Sequence, residues 1–68
     1  MLTEREKEVI KLAYLPRNEV AKSLGISLAT VRTHYASAFN KLCVYNRAEA
    51  IIKALLIGEL TIEDFNDV

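Results

Sequence analysis

Five side chains in this 68-residue sequence combine types and spacing suited to the edge of a nucleic-acid duplex: Thr30, Arg32, Thr33, His34 and Asn40. Arginine can donate two parallel hydrogen bonds to guanine, asparagine can bridge the edge of adenine, and threonine offers a methyl group to thymine beside a hydroxyl for a base or phosphate. Lysine and histidine bring charge to phosphate, which fixes register without reading sequence. All five lie between positions 30 and 40. Placed at ~100° per residue about one helix axis, Leu28, Val31, Tyr35, Ala38, Phe39 and Leu42 gather on one side as a core face. The opposite side collects Thr30, Thr33, Ser37 and Asn40 with Ala29 and Ala36 between them, Arg32 on one flank and His34 and Lys41 on the other. Short side chains of that kind let a helix enter a major groove deeply. The candidate contact set on this helix and its cap is therefore Ser27, Thr30, Arg32, Thr33, His34, Ala36, Ser37, Asn40 and Lys41.

A helix that reads a groove must be held proud of the surface, and the residues before it are spaced to do that. Two helices joined by a tight turn and crossing at roughly 90 to 120° need a small residue at their closest approach and an apolar plug on the second helix. The turn between them needs a residue tolerant of positive φ. Ala21, Gly25 and Val31 fill those three places, with Val20, Leu24 and Ile26 as apolar partners. The pattern from Arg17 to Ala36 predicts a helix-turn-helix.

The remaining path reads as all-α, a four-helix bundle containing that motif. Thr3 with Glu6 three residues later is a capping box, so the first helix starts there and is expected to run to about Tyr14, where Pro16 stops it. A second helix spans about 18–24 and ends at Gly25; Ser27 caps a third that reaches Leu42. Asn46 caps a fourth, which Gly58 closes. No segment alternates as a strand does and nothing repeats. Residues 1–60 are expected to form the domain and 61–68 an acidic tail, with looseness beginning near Glu59.

Composition narrows the function. A chain of this length buries only about 60% of its unfolded surface, which leaves little room for a catalytic cleft, so no enzyme, catalytic residue or cofactor is expected. One histidine and one cysteine exclude an ordinary zinc ligand set and any intrachain disulfide, in keeping with a reducing cytoplasm. Cys43 reads as a small apolar filler, and His34 has no sequence-placed partner for nucleophilic catalysis. The charged start, Glu4 to Glu8, is no secretory signal, and no apolar run is long enough to span a bilayer. Net charge is zero, which is unusual for a nucleic-acid binder, yet it is unevenly spread. Residues 11 to 53 carry seven basic against two acidic side chains, and residues 54 to 68 carry four acidic and no basic ones. A basic body with an acidic C-terminus is the result.

The motifs, in order, resemble a known family. Leu2-Thr3-Glu4-Arg5-Glu6-Lys7-Glu8-Val9, Glu19-Val20-Ala21, Leu24-Gly25-Ile26-Ser27, Thr30-Val31-Arg32-Thr33-His34, Lys41-Leu42 and Asn46-Arg47-Ala48-Glu49-Ala50 are similar to the LuxR/GerE-type DNA-binding domain of bacterial response regulators and quorum sensors, over about residues 2 to 60. The resemblance implies a transcriptional regulator that binds double-stranded DNA as a dimer, third helix in the major groove and fourth at the dimer interface. It places groove contacts on Arg32, Thr33 and Ala36 and backbone contacts on Thr30, His34 and Lys22. Three features depart from the family pattern: alanine at 36, the short Leu15-Pro16-Arg17 connection, and Cys43 where a glycine often closes the third helix. Because Met1 immediately precedes the first motif, a stand-alone regulator is the expectation. RNA polymerase is a further candidate partner. Two other readings stay open, a sigma-factor region 4 relative and a helical protein-interaction module that has lost DNA binding.

The fourth helix gives its own signal for self-association. Ala48, Ile51, Ile52 and Leu55 make one apolar face, assigned to the core. Ala50, Ala54 and Ile57 recur at i, i+4 and i+7 on another side, bounded by Arg47 and by Lys53 and Glu49. A homodimer interface of Ala50, Lys53, Ala54 and Ile57 is thereby predicted.

Overall fold

The computed structural model describes residues 1–65. Four helices follow one another, α1 (Glu4–Lys11), α2 (Arg17–Leu24), α3 (Leu28–Leu42) and α4 (Arg47–Leu56), then a 3₁₀ turn (Ile62–Phe65), with no strand among the described residues. Three helices begin where side chains satisfy orphan backbone donors. Thr3 and Glu6 form the reciprocal capping box of α1, the Ser27 hydroxyl accepts from the Thr30 amide, and the Asn46 side-chain Oδ1 accepts from the Glu49 amide.

Helix α1 stops at Lys11 rather than near Tyr14, for two reasons. Pro16 disfavours helical geometry at Leu15 before it. In addition, the Ala13 amide bonds to the Ile10 carbonyl at 3.1 Å, and the Val9 carbonyl accepts instead from the buried Tyr35 hydroxyl at 3.0 Å. The loose turn that follows is fastened where the Arg47 guanidinium donates to the Leu15 carbonyl at 2.9 Å.

The C-termini of α2, α3 and α4 close alike, each with a left-handed residue followed by an amide that reaches back to the helix. Gly25 (φ 67°) and Gly58 (φ 78°) occupy this position in two of them. Cys43 occupies it in the third, at φ 58° and ψ 45°, with the Val44 amide bonded to the Phe39 carbonyl at 3.0 Å. A side chain in the left-handed region costs roughly 1 to 2 kcal/mol, offset in part by the greater freedom glycine has when unfolded. Cys43 is exposed, so its side chain contributes little packing. Cys43→Gly is expected to stabilise the domain by about 1 kcal/mol in urea unfolding.

The core is built by Val9 and Ile10 of α1, Val20 and Ala21 of α2, Val31, Tyr35, Ala38 and Leu42 of α3, and Ala50 and Ala54 of α4. Leu2 and Leu60 join it from the two ends of the chain. The segment expected to be a loose tail from Glu59 is instead folded as far as Phe65. Glu59 accepts from the Leu2 amide at 3.0 Å, Leu60 is buried and Phe65 packs on the core. Of the acidic tail residues, Asp67 lies outside the described residues.

Helix α4 is rotated from the expectation, although Ile51 still packs against the core and Ile57 is exposed as predicted. Ala50 and Ala54 are 0% exposed, whereas Ile52 is 58% and Leu56 76% exposed, and Ala48 also faces solvent. Arg47, Ala50 and Ala54 share a stripe at i, i+3 and i+7, and the bond from Arg47 to Leu15 turns that stripe inward. Alanine is then the residue that lets two helix backbones approach, while Ile51 and Leu55 flank the contact half-buried. Ala50 and Ala54 therefore belong to the protomer core, not to an interface with a second copy.

Candidate nucleic-acid interface

Gly25 and Ser27 set the angle at which α3 leaves the turn. At φ 67° and ψ 35°, Gly25 needs its missing side chain for backbone freedom alone, because a Cβ there would meet nothing within 4 Å. Ala21 is buried beneath the crossing and Val31 is fully enclosed, so the three sequence positions serve the geometry predicted for them. Tyr35 locks the other side: its ring stacks on Phe39 at 5.5 Å, its hydroxyl reaches Val9, and Arg17 lies 5.4 Å over it.

A second lock joins α3 to α1 through Glu6, which is 4% exposed. Its carboxylate accepts from the Thr3 amide at 2.8 Å, the Ser37 hydroxyl at 2.6 Å and the Lys41 ammonium at 2.9 Å; Lys41 also reaches the Met1 carbonyl at 3.3 Å. Burial by itself would raise this carboxyl, but the hydrogen bonds from Ser37 and Thr3 and the Lys41 charge overcome it and hold the group at about 2. Ser37 and Lys41 were expected on the groove face. Both are drawn instead into this junction, because Glu6 lies within their reach and would otherwise be a buried charge without partners. Sequence reasoning found Glu6 as a capping residue only, since nothing local shows which part of α3 packs over the first turn of α1.

The rest of the candidate set remains on the outer side of α3 or beside it. Arg32, Thr33, Ala36 and Asn40 are exposed, as is Ala29, while Thr30 and His34 are half-buried. Ser27 and Thr30 share a hydroxyl–hydroxyl bond of 2.8 Å, and Thr33 donates to the Ala29 carbonyl at 3.1 Å. Lys22, on α2, forms a 3.5 Å pair with Glu19 at an exposed position, which is worth little in water and is easily exchanged for phosphate. Helix α3 carries no acidic residue in its fifteen, and Arg32 makes no ion pair among the described residues. The outer face thus offers no carboxylate to repel a phosphate backbone.

A helix-turn-helix with an exposed, acid-free second helix defines a DNA-binding regulatory module. The chain belongs to the luxR family of bacterial regulatory proteins, whose family model matches residues 1–54. It is 42% identical over 62 residues to the spore germination protein GerE of Bacillus subtilis, covering 88% of this chain and 84% of that protein. It is 44% identical over 55 residues to the transcriptional regulatory protein DesR of B. subtilis, and 43% identical over 53 residues to the CsgBAC operon transcriptional regulatory protein of Escherichia coli. The chain spans 28% and 24% of those two longer proteins. Among the described residues no helix is long and apolar enough to cross a membrane.

Proposed function

We propose that this chain is a sequence-specific regulator of transcription that inserts α3 into the major groove of double-stranded DNA. The observation that carries this reading is the construction of α3, fixed on its inner side by Tyr35 and Glu6 and presenting Arg32 and short side chains without a carboxylate on its outer side. Arg32 reads a base and Lys22 holds phosphate. Selection from a randomised duplex pool tests it: a defined enriched site supports the reading, and enrichment of nothing defeats it. On the enriched site, Arg32→Ala should weaken binding by about 1 to 3 kcal/mol and relax one base position, whereas Lys22→Ala should weaken all sequences alike and lower the salt dependence.

The chain acts as a dimer on a two-fold site, through the outer face of α4. Ile52 and Leu56 stand exposed with Tyr45 beside them, and Glu49 and Lys53 border them. An isologous contact sets each patch against its own copy, so apolar residues meet at the axis and unlike charges can oppose at the rim. This face replaces the one predicted from Ala50, Lys53, Ala54 and Ile57; Lys53 and the half-exposed Ile57 stay at its edge. A palindromic selected site is the expected product.

A further inference from the structure

The hydroxyl groups of Thr30, Thr33 and Ser37 on α3 are each hydrogen-bonded within the protein. Thr33 donates to the Ala29 carbonyl, Thr30 bonds to Ser27, and Ser37 donates to Glu6. Lys41 is held by the same carboxylate. Thr33 is exposed, and with its hydroxyl turned back to the helix its methyl group is the part left for a groove. Ala29 and Ala36, four residues before and three after, are exposed too, so three methyl groups follow one another along the outer line of the helix. At a rise of ~1.5 Å per residue this line is about 10 Å long, the span of about three base pairs. Arg32 flanks it as the one exposed cation of α3's outer face, free of carboxylates among the described residues.

We propose that α3 reads its duplex mainly by methyl contact, each half-site presenting two or three thymine methyl groups to Ala29, Thr33 and Ala36 with a guanine beside Arg32. The inference rests on α3 being the groove-reading helix. Thymine is the base whose major-groove edge carries a methyl group, and a buried methyl–methyl contact needs no hydrogen-bond partner, which suits a helix whose hydroxyls are engaged. Alanine at 36 is then a reader rather than a lost contact.

Deoxyuridine differs from thymidine only by that methyl group, so it probes the contact on the unaltered protein. In the site enriched from the random pool, replacing thymines one at a time by deoxyuridine should weaken binding about fourfold at two or three adjacent positions of each half-site. Thr33→Ser keeps the hydroxyl and removes the methyl. It should abolish the deoxyuridine effect at one of those positions and leave the others. If a specific site is found and every deoxyuridine duplex binds within twofold of its thymidine counterpart, the methyl reading is overturned while α3 remains the reading helix. If no specific site is found, groove reading fails and this inference fails with it.

Discussion

Ala54→Glu is expected to unfold the chain, and Ile52→Glu to leave it folded and monomeric. Ala54 is fully enclosed where α4 meets the rest of the core, so a glutamate there would be a buried charge without a partner. That class of change costs about 4 kcal/mol or more, against roughly 3 to 10 kcal/mol of total stability for a domain of this size. Far-ultraviolet circular dichroism should show loss of helix. Ile52 is more than half exposed, and glutamate is a better helix former than isoleucine, so Ile52→Glu should keep its helicity. Like charges would then face one another across the two-fold axis of the proposed dimer. Sedimentation should report a monomer, and affinity for a full palindrome should fall toward that for a half-site. A folded, monomeric Ala54→Glu protein would instead return the alanine stripe to the interface.

The contrast between those two residues shows what was legible in the sequence. Thr3, Ser27 and Asn46 act on backbone groups within three positions of themselves, and their caps formed as read. Gly25 and the small Ala21 likewise express a local geometric demand. The rotation of α4 does not, because both of its long faces are apolar and either could have turned inward. It is decided by backbone approach at Ala50 and Ala54 and by a bond between Arg47 and Leu15, thirty-two positions apart. The large apolar residues suggested Ile52 inside and the alanines outside, whereas close packing turned Ala50 and Ala54 inward beside Ile51. Leu60 and Phe65 were hidden in the same way, as two core contacts within a stretch whose charge suggested solvent. On the outer face of α3, residue types revealed which side was polar, but not that Glu6 would take Ser37 and Lys41 from it.

Glu6 also gives the domain a specific response to acid. Its carboxyl sits at about 2 when folded against an ordinary value of 4.5, so the folded state holds the charged form more strongly than the unfolded chain does. The resulting stability, about 3 kcal/mol, is fully present above the unfolded value and is lost as pH falls from 4.5 toward 2. Glu6→Gln can keep the capping bond from the Thr3 amide, since glutamine serves at this position of a capping box. It cannot ionise, and one of its two terminal atoms no longer accepts. At neutral pH the variant should therefore be less stable by about 2 to 3 kcal/mol in urea unfolding, a large part of the total. Near pH 2.5 the parent has lost most of its advantage, and the two proteins should unfold at similar urea concentrations. A deficit that stays constant with pH would assign the role of Glu6 to packing and capping alone. A deficit that closes as expected would tie the seating of α3 on α1 to one ionised carboxylate, and with it the position of every side chain on the outer face of α3.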